Sequence, residues 1–403
     1  MAMRIAGIVL CSRGVDPIVT ITHRGEERIR AGHPWVYRRD VADARAEAGD
    51  TVRVVGTRGG PVGYALFSSQ SEIAIRLLTR DVDAEPPGLD WWRARLASAM
   101  AYRAGLGIDA TAYRVVHGEA DGMPSLVVDR YGDYLVVQTL SQGTDRLRPQ
   151  IVTLLQELLR PAGILARNDP RVRELEGLDR KVELLTGAVP ERVTVREGSV
   201  EHEVDLWRGQ KTGLFLDQRE NRAAAAAYAR GRALDCFSYH GGFALALARR
   251  ATEVIALEIS ADAAARAREN ASRNGLSNVS VKTVNVFDEL RELDRGDERF
   301  DTIVLDPPAF AKNRKSVPAA RSGYKEINLR ALKLLEPGGY LVTCSCSYNV
   351  DEALFGEILW EAAVDARATV AVVEKRMQSR DHPVLIGVPE TYYLKCFVAR
   401  KLA

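Results

Sequence analysis

The sequence predicts an α/β protein whose C-terminal half is a doubly wound parallel sheet, preceded by a small N-terminal β-barrel and a central α+β unit. Three observations predict it. From Arg232 onward, apolar strand-like runs alternate with helical ones. Between Pro17 and Thr79 the apolar runs are short, alternating and broken by Gly-rich turns. Between these regions a hairpin pattern stands beside a helical one.

The N-terminal strands are read at 18–21, 51–55 and 73–77, with Arg58-Gly59-Gly60-Pro61 as a turn. They belong to a barrel or sandwich spanning residues 1–82, with 1–16 as an extension. The run Ile5–Leu10 with Cys11 is shorter than an export-signal core and lacks a small-residue cleavage site, so it reads as extension or first strand. Asp81 to Gly88 mixes acids with prolines and reads as a linker, followed by a helix from Trp91 to about Leu106. The central unit, 83–206, carries a hairpin of 125–129 and 134–138 about the turn 130–133, then a helix at 145–160 and further short strands. The last domain, 207–403, has strands at 233–237, 253–258, 279–281 and 302–306, with an Ala-rich helix at 261–273. Its terminal runs, Thr369–Val373 and Tyr392–Val398, predict an antiparallel hairpin.

At 403 residues the chain has room for two or three cores, and 46% hydrophobic with 27% charged residues excludes collagenous and disordered classes. Lys plus Arg (56) nearly balances Asp plus Glu (54), so any nucleic-acid site must be a local patch. Five cysteines without framework spacing point to a reducing, cytoplasmic setting. Six histidines and no paired CxxC predict no metal site, and no apolar stretch reaches membrane-span length.

The chemistry-bearing residues fall at strand ends. Asp235 to Phe243 forms the first strand-to-helix turn, where Gly241 and Gly242 permit close backbone approach to a ligand; from this segment alone a plain tight turn is the better reading. Glu258 ends the next strand about 23 residues on, where a carboxylate can accept both ribose hydroxyls, so the two elements together imply a nucleoside-bearing cofactor. The fourth strand ends in Asp306-Pro307-Pro308-Ala309-Phe310, two prolines fixing the backbone beyond an acid. The fifth reads Tyr340 to Ser347, and period two puts Cys344 and Cys346 on one face.

Taken in order, these segments resemble the large-subunit ribosomal RNA cytosine-C5 methyltransferase family I over nearly the whole chain. The resemblance is carried by His33-Pro34-Trp35-Val36-Tyr37, Gly118 to Pro124, Lys211 to Arg219, Cys236 to Phe243, Asp306 to Phe310, Gly323 to Asn328 and Asp381-His382-Pro383-Val384. It implies a PUA-type barrel, a central α+β domain and a class I (Rossmann-like) S-adenosylmethionine (SAM) methyltransferase domain. It further implies ribosomal RNA as partner and no membrane, and leaves a homodimer open. SAM contacts are implied for Phe215, Gln218, Arg219, Asp235, Phe237 and Tyr239. Gly241, Glu258, Ile259, Asn285 and Asp306 complete that set.

Within the resemblance, Cys346 is the nucleophile that adds to cytosine C6 so that C5 becomes able to attack a methyl donor, and Asp306 holds the amidine edge of the base. A strand cysteine is also commonly inert packing, and an acid there can simply cap or pair. Two departures stand out. Related RNA cytosine enzymes carry Pro-Cys after the strand-four acid, where this chain has Pro308-Ala309, which leaves the C5 proton acceptor open, with Cys344 as a candidate. Asn285 replaces the usual acid facing the adenine amino group, its carbonyl oxygen serving instead.

Lys312, Arg314, Lys315, Arg321 and Lys325, with Arg38 and Arg39 on the N-terminal domain, are candidate RNA contacts, although such runs are usually solvated faces. Two alternatives remain: a guanine N2 or N7 methyltransferase, which needs no thiol, and a non-catalytic RNA-binding assembly factor.

Overall fold

The computed structural model describes residues 17–403. The expectation for Ile5–Leu10 and Cys11 lies outside the described residues. Six strands between Ile18 and Thr79 form one sheet around Val19, Ile21, Val36, Val52, Val54 and Ile75. The expected strands are joined by a helix, His23–Arg30, which the sequence reading lacks. Thr22 caps it by accepting from the Gly25 N–H (3.3 Å), and Gly25 lets the helix approach Val36. A glycine and a mostly charged sequence hide its period.

The central sheet has five strands between Ala112 and Gly187, covered by helices Leu89–Gly105 and Arg148–Leu159 that bury Trp92, Leu96, Ile151 and Leu154. The helix expected at 145–160 is two pieces, because Ser141 caps a short turn, Gln142–Arg146, and Pro149 stands at the start of the next helix. A separate hairpin, Arg192–Glu197 with Val200–Asp205, reaches the last domain through Glu203, whose N–H donates to Asn270 Oδ1 (2.9 Å).

That last domain holds the doubly wound sheet. Its strands are β1 (Arg232–Cys236), β2 (Glu253–Glu258), β3 (Val279–Thr283), β4 (Phe300–Leu305), β5 (Leu335–Ser345), β6 (Val370–Arg376) and β7 (Lys395–Lys401). Its helices are α1 (Arg219–Tyr228), α2 (Gly242–Ala248), α3 (Ala261–Arg273), α4 (Val286–Arg295), α5 (Val317–Leu334) and α6 (Glu352–Asp365). The strand order is β3-β2-β1-β4-β5-β7-β6, with β1 to β5 parallel and β7 antiparallel to both neighbours. The terminal pair is therefore antiparallel, as expected of two runs with no long helix between them, but β7 inserts between β5 and β6. The order reverses between β1 and β4, which opens a crevice at their carboxyl ends. Phe300, Tyr324, Phe355 and Phe397 fill the core beneath it.

The segment between β6 and β7 returns to the central domain. Asp381 accepts both guanidinium nitrogens of Arg219 (2.8 and 2.9 Å) and the Arg114 N–H (2.9 Å), all buried or nearly so. Arg103 bridges the same seam, donating to Asp121 (2.8 Å) and to the Asp381 carbonyl (2.8 Å). Trp35 Nε1 reaches Glu119 (3.1 Å), tying in the N-terminal sheet. Four of the sequence runs that carry the family resemblance thus hold the domains against one another. No helix among the described residues is long and apolar enough to cross a membrane.

Candidate functional site

A cleft of about 620 Å³ opens at the carboxyl edge of β1, β2, β4 and β5. This is within the roughly 300–1,000 Å³ common for small-molecule sites. The turn after β1 forms its floor, with Phe237 (φ 66°), Tyr239 (φ 51°) and Gly241 (φ 85°) all in the left-handed region. Two non-glycine residues in that region are strained, and the surroundings hold them there. Asp235 Oδ2 accepts from Ser238 Oγ (2.6 Å) and the Ala244 N–H (2.9 Å), while Glu258 Oε2 accepts from the Tyr239 N–H (2.8 Å). Asp235 Oδ1 is buried without a partner, and burial lifts this carboxyl to about 7 against the pull of those two bonds.

One end of the cleft suits a flat ring with a hydroxylated appendage. Glu258 stands at the end of β2 and also accepts from the Ser260 N–H (2.8 Å), which leaves lone pairs on both oxygens. Beside it Ile259 is 68% exposed, an apolar surface facing the cleft. Phe237, Phe287 and Phe310 form an aromatic group with centroids 5.9–6.5 Å apart. Asn285 lines the mouth, but its Oδ1 already caps α4 by accepting from the Phe287 N–H (2.9 Å), leaving one lone pair of the two expected to be free.

At the other end, Asp306 Oδ1 accepts from Gln218 Nε2 (2.7 Å). Burial, then the nearby Asp217 carboxylate, raises the Asp306 carboxyl to about 6. Cys346 lies just past β5 with Sγ 3.8 Å from the Pro307 carbonyl oxygen. Burial pushes its thiol up to about 11, aided by Asp306 and Asp217 and opposed by Lys211. Ser347 Oγ accepts from the Ala311 N–H (3.1 Å) and bonds Tyr324 Oη (3.0 Å), joining the two loops.

Of the residues singled out from sequence, Phe215, Gln218, Phe237, Tyr239, Glu258, Ile259, Asn285, Asp306 and Cys346 line this cleft. Asp235 and Gly241 lie behind the wall and shape the turn. The Arg219 guanidinium is turned to Asp381 instead, in the seam described above. Cys344 packs into the same apolar cluster as Cys346, as period two predicts, but does not line the cleft: β5 ends at Ser345, and Cys344 is buried opposite Cys396 on β7. The thiol Cys344 meets there, with burial, holds its own pKa well above the ordinary value.

Lys211, Asp217 and Tyr393 are among the cleft residues that the sequence reading does not single out. Lys211 Nζ (2.6 Å) and Tyr393 Oη (2.8 Å) both donate to Asp217 Oδ2, and Asp217 Oδ1 is buried without a partner. Lys211 is held at φ 52°, a strained value that its own sequence run does not announce. Burial alone would raise the Asp217 carboxyl, but Lys211 holds it well below the usual range.

The basic residues divide. Arg321 pairs with Glu361 (2.6 Å) and Lys325 with Asp365 (2.9 Å), both on α6. Arg38 donates to the carbonyls of Ser68 and Ser71 (2.6 and 2.7 Å). Lys312, Arg314, Lys315 and Arg39 are exposed, with no ion pair among the described residues. The α6 acids that capture the first two lie far along the chain, so the local run looked uniformly free.

Among known proteins, residues 19–80 match the family described as a PUA-like domain, and residues 135–394 match that of S-adenosylmethionine-dependent methyltransferases. "Ribosomal RNA large subunit methyltransferase I" of Aeromonas hydrophila subsp. hydrophila is 40% identical over 387 residues, covering 93% of this chain and 97% of the relative. The protein of the same description from Aliivibrio fischeri is 38% identical over 384 residues, with the same shares covered. In structure, the chain is similar to SMU.776, a methyltransferase complexed with SAH, at TM-score 0.82 and 20% identity over 95% of this chain and 99% of that one. A SAM-dependent methyltransferase from Streptococcus mutans gives TM-score 0.80 at 19% identity, again covering 95% and 99%. At such identity the structural likeness speaks for the fold.

Proposed function

Because the chain belongs to the ribosomal RNA large subunit methyltransferase I family of SAM-dependent enzymes, we propose that it methylates C5 of a cytosine in large-subunit ribosomal RNA through a bond from Cys346 to C6. One observation carries this reading: a thiol and a carboxyl raised to about 6 meet at one end of a cleft whose other end suits a nucleoside. A guanine enzyme would have no use for Cys346 there.

The residues present fit SAM. Glu258 takes the ribose hydroxyls, Ile259 and Phe287 flank the adenine, and the remaining Asn285 lone pair accepts its amino group. Phe215, Gln218, Phe237 and Tyr239 line the path toward Asp306, while Asp235 and Gly241 keep the turn in shape. When bound, the cofactor supplies an electrophilic methyl group on a sulfonium centre.

The chain's own part is to make C5 nucleophilic. The Cys346 thiolate forms a bond to C6, the C5–C6 electron pair shifts to C5, and the fraction of Asp306 that carries a proton, enlarged by its rise to about 6, donates to the amidine edge. After C5 has been methylated, its proton passes to water, the C5–H electron pair re-forms the C5–C6 double bond, the C6–S bond breaks to return the thiolate, and the amidine proton goes back to Asp306. Pro307 and Pro308 hold the backbone beside the base without needing ladder hydrogen bonds. Lys312, Arg314 and Lys315, next to this end of the cleft, contact phosphates of the flanking strand, and Arg39 extends the contact to the N-terminal domain. A paired base would be flipped out to reach Cys346.

RNA carrying tritium at cytosine C5 tests the proposal. Methyl transfer should release tritium to water one for one. Methyl incorporation without tritium release would overturn the C5 assignment.

A further inference from the structure

Lys395 is 1% exposed, and no carboxylate partners it among the described residues. Its Nζ donates to the carbonyls of Ser347 (2.7 Å) and Tyr393 (3.0 Å). In the β5–β7 register Lys395 stands opposite Ser345. A side chain that starts beside residue 345 and ends on the carbonyl of residue 347 runs along Cys346. An ammonium has three donors, and two are engaged.

Burying a charge without a counter-ion is costly, and a neutral donor would tie two carbonyls as well. Such an uncompensated cation marks a functional neighbourhood. Resting on the nucleophile reading above, we propose that Lys395 is a positioning residue whose buried positive charge stabilises the Cys346 thiolate. A cation beside a cysteine is the general means of raising its thiolate fraction.

The neighbouring charges show why one is needed. Asp306 and Asp217 face Cys346 from the β4 edge and from the segment before α1, and both disfavour the thiolate; Lys211 alone among the cleft residues opposes them. Tyr324 on α5 and Tyr393 before β7 are phenols pushed upward by burial and stay neutral there. Burial lowers Lys395 itself to about 8, with Cys346 and Asp351 acting against that fall, so it keeps its proton at pH 7.

The test is the pH dependence of Cys346 carboxamidomethylation by iodoacetamide, followed by peptide mass spectrometry on the full chain, with SAH affinity measured by calorimetry. Lys395→Met should alkylate at Cys346 at least about tenfold more slowly near pH 7, with SAH affinity unchanged, and Lys395→Arg should recover most of the rate. A Lys395→Met protein with the wild-type profile would overturn the proposal and leave Lys395 as a tie between loops. If that variant does not fold, Lys395→Gln, which can keep a hydrogen bond to the carbonyls without the charge, decides: slowed alkylation supports the proposal, and the wild-type rate overturns it. Alkylation needs no RNA, so its outcome is separate from whether the target is cytosine.

Discussion

Replacing Glu258 with alanine removes a carboxylate that does two things at once. It accepts the Tyr239 and Ser260 N–H groups, each at 2.8 Å, and in the proposed complex it takes the ribose hydroxyls. Hydrogen bonds to charged groups contribute about 1.5–3 kcal/mol each. Water from the cleft can replace part of what the two N–H groups lose, so the apo protein should lose about 2–4 kcal/mol of stability. Tyr239, held at φ 51°, loses the anchor that fixes its strained turn. Loss of the hydroxyl acceptors should weaken SAH binding by at least about tenfold, or ~1.4 kcal/mol. Glu258→Gln keeps one acceptor and turns a donor toward the other N–H, so it should fall between. Calorimetric titration of SAH into each folded variant measures this. An affinity within about twofold of wild type for Glu258→Ala would remove Glu258 from the cofactor site and refute the reasoning.

Three further outcomes follow from the geometry. Charge reversal of Lys312, Arg314 and Lys315 together should weaken RNA binding and flatten its dependence on salt, because each lost phosphate contact releases fewer counterions; an unchanged slope would leave the run a solvated face. Asp235 is raised in the fold from 3.8 to about 7, so the folded state binds more protons than the unfolded chain between these values, and stability falls as pH rises through that window. Asp235→Asn removes this term, worth on the order of 4 kcal/mol, so its stability relative to wild type should grow between pH 4 and 7 in urea unfolding; a pH-independent difference would contradict it. Asp381→Ala strands the buried Arg219 guanidinium and should cost about 3–5 kcal/mol by the same measurement, whereas a loss below about 1 kcal/mol would show the seam to be unimportant.

Local pattern carried the alternating part of the fold. The Ala-rich run predicted at 261–273 is helix Ala261–Arg273, and the strand ends that present Glu258 and Asp306 follow from apolar runs closing on an acid. What was hidden depends on distant partners. Tyr393 reaches Asp217 across 176 positions, and Arg219 meets Asp381 across 162, so no window around either residue carries the signal. The split basic run has the same origin, since α6 captures Arg321 and Lys325. Cys344 and Cys346 share one apolar cluster, as a period-two count predicts, but the count cannot see that the strand ends at Ser345, so that Cys346 lines the cleft and Cys344 is sealed opposite Cys396.

The central claim is a covalent bond between Cys346 and C6 of cytosine, and its most direct measurement is a trap. Target RNA carrying 5-fluorocytosine, incubated with enzyme and SAM, should hold wild type in a denaturant-resistant complex, because fluorine at C5 cannot leave as a proton and elimination stalls. Cys346→Ala should bind SAM, form no complex and transfer no methyl group, while Cys344→Ala should trap like wild type. A Cys346→Ala protein with normal turnover, or a wild type that methylates RNA and never traps, would contradict the account.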